Sequence, residues 1–350
     1  MNVRKLNMKN RSRVMTSRKN SFATVGAISL LLVSSLAEAE PAGLISNRVV
    51  AWGDMQYDLP VSADPRAPAR SVLAQVAAGD FHSLVLKNNG AVVAWGDNAF
   101  GQTSVPLCVN QQSVSEIAAG NVHSLALMTD GTVTGWGPAP GQYGDYGQCA
   151  VPSGLNEVVG ISAGAVHSLA LRSDGSVVAW GANLNGQCNV PAGLTEVVAI
   201  AGGMYHSLAL KADGSVAAWG DNRRGQIEVP AGLSNVVAIA AGGFHSLALT
   251  SNGSVVSWGT YGLAQSTVPA GLSNVVAIAT GDYHSLALKR DGTVVAWGFN
   301  TSGQCDVPAG ATNVIGIAAR GNHSMVLIRE FQPVRATRAV ARRSPVVSPY

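Results

Sequence analysis

A single motif, repeated along the chain, limits what these residues can build. The stretch VVAIATGDYHSLALKRDGTVVAWG at 275–298 recurs with small changes from about residue 73 to about residue 329. All seven histidines belong to it (His82, His123, His167, His206, His245, His284 and His323), the last five spaced by 39 residues. So do all seven tryptophans, Trp52, Trp95, Trp136, Trp180, Trp219, Trp258 and Trp297, and from His82 to His284 each histidine precedes the next tryptophan by 13 residues. A unit of roughly 40 residues cannot bury its own apolar face, so copies must stack and share a core. The 47% hydrophobic content, 12% charged content and 40 glycines suit many short strands joined by tight turns.

Within one unit VVAIA, HSLALK and TVVAWG are rich in β-formers and bounded by turn residues, so each reads as a strand. The second and third are joined by Asp-Gly or Asn-Gly, the two-residue hairpin signal, which makes them antiparallel neighbours. A shorter fourth strand is expected after Gly-Gln, before the Val-Pro-Ala-Gly-Leu connector. The first unit begins late, at Asn47-Arg48-Val49-Val50-Ala51-Trp52, and the last stops after His323-Ser324-Met325-Val326-Leu327-Ile328, so each end supplies what the other lacks. The expected fold is therefore all-β: a seven-bladed β-propeller of four-stranded antiparallel blades, closed by pairing an N-terminal strand with the C-terminal blade. An open solenoid would leave the two partial units unexplained.

The flanks differ from the repeats. Residues 1–39 read as a signal peptide, with basic residues from Arg4 to Lys19, an apolar run from Phe22 to Leu36 and Ala37-Glu38-Ala39 at the cleavage point. The rival is an uncleaved anchor, but only residues 20–37 lack charge, which is thin for a membrane span. Residues 40–46 form a short linker, 47–329 the propeller, and 330–350 a basic, proline-containing disordered tail with arginines at 335, 338, 342 and 343. The whole chain carries +3, yet residues 40–330 hold 12 basic and 19 acidic groups, a net of −7 that opposes a phosphate backbone.

The signatures AGxxHSLAL, DGxVxxWG and NxxGQ resemble the regulator of chromosome condensation repeat family over about residues 47–329. The resemblance implies a seven-bladed propeller. The Val-Pro-Ala-Gly-Leu connector and the starting Trp strand look most like exported bacterial members, a secreted beta-lactamase inhibitor among them, whose partner docks on loops over one face.

Histidine and tryptophan recur in every unit, which marks them as structural: each His is expected to bond backbone near its turn and each Trp to pack between blades. The informative positions are those that vary. Strand alternation puts the AGxxHS loops and the Trp-Gly to Gly-Gln loops on one face, with the Asp-Gly hairpins and connectors opposite. Of the 6 phenylalanines and 7 tyrosines, Phe22, Phe331 and Tyr350 lie in the flanks. Phe81, Tyr205, Phe244 and Tyr283 fall in AGxxHS loops, and Tyr57, Phe100, Tyr143, Tyr146, Tyr261 and Phe299 in the Trp-Gly loops, all on one face. Rings on loops over a rigid scaffold are what binding surfaces use. The glycine three before His becomes Arg320 in the last unit, and Asp80 and Asp282 stand two before His82 and His284, so Asp80, Asp282 and Arg320 join the candidate partner-binding set.

Cys149, Cys188 and Cys305 follow Gly-Gln at one repeat position and Cys108 follows Val-Pro; buried free thiols are expected, Cys108 with Cys149 being the one pairing worth testing. No spacing matches a metal motif, and no cofactor or catalytic residue is assigned. The leading expectation is a secreted or periplasmic, monomeric scaffold that binds a protein partner, not nucleic acid, and that inhibits or organises a secreted or envelope enzyme. A propeller enzyme of lyase or hydrolase type with a site near the axis is the alternative. Less favoured is the nucleotide-exchange or chromatin role of the family's namesake.

Overall fold

The structure is a computed structural model, which describes residues 43–54, 73–111, 113–260, 262 and 264–333. The signal segment, the start of the linker, Tyr57, Tyr261 and the tail beyond 333 lie outside the described residues. The described residues form seven antiparallel sheets of three strands each. Six are consecutive, from Leu73–Ala78, His82–Lys87 and Val92–Gly96 in blade 1 to Val275–Thr280, His284–Lys289 and Val294–Gly298 in blade 6. The seventh combines Val314–Arg320 and His323–Pro333 with the first strand, Gly43–Gly53. Its register sets Val49 opposite Leu327 and Trp52 opposite Ser324, and the pairing runs on to Gly43 and Pro333, past the limits drawn from the sequence.

Among the described residues the fourth strand expected in each blade is not formed. In blade 3 the Gly-Gln segment spends its backbone groups elsewhere: Cys188 N donates to Asn183 Oδ1, Asn185 N to Gln187 Oε1 and Val190 N to Cys188 O. Gln187 O faces the next blade, where it accepts from Ser207 Oγ and Trp219 Nε1. A segment curled in this way has no row of free N–H and C=O groups for a ladder. One further element was not foreseen. In blade 1 the connector is replaced by a short helix, Leu107–Gln111, which buries Val109 and bonds Val92 N through Asn110 Oδ1. Cys108 on that helix is exposed, the other three thiols are half-buried, and all four are free, which corrects the expectation of burial.

The middle strands are sealed on both faces; Leu84, Leu125, Leu169, Leu208, Leu247 and Leu286 show no exposed surface. Apolar clusters form between blades. Leu169 and Leu171 of blade 3 pack on Val197, Ile200 and Trp219 of blade 4, and Met325, Leu327 and Val49 of blade 7 pack on Val76, Ala78 and Val85 of blade 1. Each leucine so buried contributes about 2 kcal/mol. The first strands of all seven sheets line one central cavity, which identifies them as the innermost. Among the described residues no helix is long and apolar enough to cross a membrane.

Candidate interaction face and axial site

Backbone hydrogen bonds tie the two loop sets that carry the rings to one end of each blade. Asp97 N donates to Phe81 O, Asp221 N to Tyr205 O and Phe299 N to Tyr283 O. The Asp-Gly hairpins bond the connectors instead, as where Ser173 N meets Glu157 O and Ala212 N meets Glu196 O. A belt joins the AGxxHS loops from blade to blade: Asp80 N to Gly120 O, Asn121 N to Ala165 O, Ala165 N to Gly203 O, Met204 N to Gly242 O, Gly243 N to Asp282 O and Asp282 N to Gly321 O. Loops fixed by their own backbone are pre-organised, which lowers the cost of ordering them on contact with a partner.

Beneath that belt the repeated residues form one network. The imidazole Nε2 of His245 lies 2.9 Å from Ser285 Oγ in the next blade, and Ser285 Oγ donates to Gln265 O, which also accepts from Trp297 Nε1. The same relay recurs from His82, His123, His167, His206 and His284 to Ser124, Ser168, Ser207, Ser246 and Ser324. The serine gives its single proton to a carbonyl, so the histidine must donate from Nε2 and keep Nδ1 bare. Six histidines therefore bond a serine of the neighbouring blade rather than backbone at their own turns. The reason is steric: a Cβ on Gly79, Gly164 or Gly281 would strike the ring of His82, His167 or His284, and this close packing aims each ring across the blade boundary. Burial first, then neighbouring positive groups, holds His82, His167 and His284 near a pKa of about 3. The sequence signals for this relay were the serine after every histidine and the glutamine that closes each Trp-Gly loop, after glycine in five of the six relays and after Ala264 in the other.

The rings form two groups. Phe244 stacks on Tyr283 with centroids 5.6 Å apart, and Tyr283 meets Phe299 edge-on at 6.0 Å. Phe100 and Tyr143 lie 6.3 Å apart, with Tyr143 87% exposed and Tyr146 51% exposed. Phe81 is exposed and Tyr205 half-buried. Leu184, in the same loop of blade 3, is 90% exposed and belongs with this set, although a search confined to rings misses it.

At the junction of blades 7 and 1, Arg320 Nε donates to Asp80 Oδ1 at 3.0 Å, with both side chains buried. Arg320 Nη1 reaches across the axis to Ala163 O at 3.2 Å and Gly202 O at 3.4 Å. Asp282 stands beside the pair; burial, then the Asp80 charge, raises its carboxyl pKa, while Arg320 and the Gly321 N–H work against that rise. Asp54, Asp80, Phe81, Asp282 and Asn322 line a surface pocket of about 80 Å³ at this junction. Among the described residues no three His, Cys, Asp or Glu are placed to hold a metal ion.

No curated protein sequence matches this chain. Among solved structures it is similar to Prp20p from Saccharomyces cerevisiae, studied with its binding to Gsp1p and histones, at 22% identity over 82% of this chain and 92% of that one, TM-score 0.68. Yeast RCC1 (Prp20) bound to Kap60 gives 22% identity over 91% and 96% of the two chains, TM-score 0.67. Human WBSCR16 gives 22% over 81% and 99%, TM-score 0.62. At this identity the likeness is one of fold. Residues 47–326 match the model of the RCC1-like domain, which spans most of the chain, and the protein belongs to that family.

Proposed function

We propose that this chain is an exported scaffold that captures a folded protein on its aromatic loop end, and that the captured protein is a secreted or envelope enzyme. The carrying observation is the contiguous Phe244, Tyr283 and Phe299 group, set on loops joined by a belt of backbone bonds. Phe81, Tyr143, Tyr146 and Leu184, on the corresponding loops of blades 1 to 3, are exposed as well. Large rings held on a rigid frame bury much area at small entropic cost. The yeast structures with this fold concern binding to protein partners, Gsp1p, histones and Kap60, which favours a binding role over catalysis. The basic and apolar first 39 residues and the −7 charge of residues 40–330 support an exported protein facing a protein surface, as in the exported bacterial members.

The test is capture from envelope and culture fractions by the tagged protein and by a variant with Tyr205, Phe244 and Tyr283 all changed to alanine. The reading expects the partner to be lost while cooperative thermal unfolding is kept. Undiminished capture by the triple variant would contradict it.

A further inference from the structure

Arg320 places a long cationic side chain in an axial cavity whose other walls are small. The cavity has a volume of about 60 Å³ and is lined by alanines of the seven inner strands, together with Gly202, Ile117, Ile161, Ser162, Thr280 and Arg320. Two edges of the guanidinium are occupied, by Asp80 at Nε and by Ala163 O and Gly202 O at Nη1. The third donor, Nη2, is buried and has no hydrogen-bond partner among the described residues, on a side chain only 8% exposed. An unmet buried donor of this kind is costly, more so on a charged group.

The chemistry of the lining narrows what can meet that donor. Ser162 Oγ already accepts from Gly202 N at 3.0 Å, so its hydroxyl proton is left to give. Arg320 Nη2 and the Ser162 and Thr280 hydroxyls can each give a proton into the cavity, and no carboxylate is among the lining residues. A donor-rich wall favours an occupant that only accepts, and a charge-assisted bond to guanidinium is about twice as strong as a neutral one. A cavity of this size has room for a water-sized occupant and so for an ion of halide size.

We propose that this axial cavity is a binding site for a small monovalent anion of halide size, held by Arg320 Nη2 with the Ser162 and Thr280 hydroxyls. The site is independent of the partner surface at the loop end. It gives a reason for one blade to carry arginine where Gly79, Gly120, Gly164, Gly203, Gly242 and Gly281 stand in the others.

Crystals of the full chain grown in sodium bromide should show an anomalous bromine peak within hydrogen-bonding reach of Arg320 Nη2. In solution, bromide replacing gluconate at fixed ionic strength should raise the Tm by about 2 °C. Arg320→Lys should abolish both effects. Ala241→Val, which adds bulk to the cavity wall and keeps the arginine, should do the same if the lysine variant fails to fold. Density at Nη2 with no anomalous signal in saturating bromide would overturn the proposal, as would a Tm response undiminished in Ala241→Val.

Discussion

Arg320 of the seventh blade and Asp80 of the first are joined by a 3.0 Å hydrogen bond, with 8% of each side chain exposed. The backbone belt runs from blade 1 to blade 7, and this ion pair bridges the remaining junction. Removing one partner leaves the other charged and buried, a loss of about 3–5 kcal/mol. Arg320→Ala should therefore lower the Tm by roughly 10 °C. Asp80→Ala combined with Arg320→Ala should recover part of that loss, since the orphaned charge is gone. Thermal melts of the single and double variants make the cycle; strict additivity would deny the coupling.

Acid should weaken the protein through its histidines before its carboxylates. Burial lowers His82, His167, His245 and His284 to about 3 and His206 to about 4, from an ordinary 6.5. Between those values the unfolded chain binds protons that the folded chain refuses, so stability is complete above 6.5 and is lost as pH falls below it. A Tm that drops steeply from pH 6.5 to pH 4 is expected, and Ser285→Ala, which removes one relay, should cost about 1–2 kcal/mol at pH 7.5. A flat Tm over that interval would show that the rings are charged in the folded state.

Glu116 presents the opposite sign. At the same register position in blade 1, Gln75 accepts from Ile117 N at 2.9 Å and donates to Ile117 O at 3.3 Å. Glu116 makes only the accepting half of this bridge, from Ile161 N at 3.3 Å. Burial pushes its carboxyl up to about 8, against the small opposing effect of that N–H. From 4.5 to 8 the folded chain retains a proton that the unfolded chain releases, so stability falls as pH rises through this window. Glu116→Gln supplies the missing donor without a charge. It should raise the Tm at pH 8 by roughly 2–4 °C and leave it nearly unchanged at pH 5; an equal gain at both would point to some other cause.

Glu196 holds a left-handed φ of 58° in a connector, the conformation that Asn235, Asn274 and Asn313 adopt at the matching positions of other blades. The left-handed region costs an ordinary side chain about 1–2 kcal/mol, and asparagine less. Glu196→Asn should therefore stabilise by about 0.5–1 kcal/mol. Chemical denaturation, read as a higher midpoint at unchanged slope, checks it.

Much of this architecture could be read before any coordinates. The strand periods, the Asp-Gly turns and the two incomplete units lead to Val49 pairing with Leu327, because local pattern decides strands and mutual lack decides their partner. The curled Gly-Gln segment was illegible, since its fate depends on side chains such as Asn183 outcompeting a neighbouring strand. The serine partner of each histidine was hidden for another reason: it lies in the following blade, about 40 residues on. Arg320 stood out as a departure from glycine, but its reach to Ala163 and Gly202 follows only from the width of the channel.

The strand at Gly43–Gly53 is made before the other described strands and must wait for His323–Pro333, the last of its sheet to be made. Six sheets can assemble during synthesis from neighbours in sequence, but the seventh needs contacts across almost the whole described chain, and such distant contacts form slowly. For that interval Val49, Val50 and Trp52 expose an unpaired apolar edge. Vulnerability to aggregation or chaperone capture during synthesis should therefore concentrate at this strand.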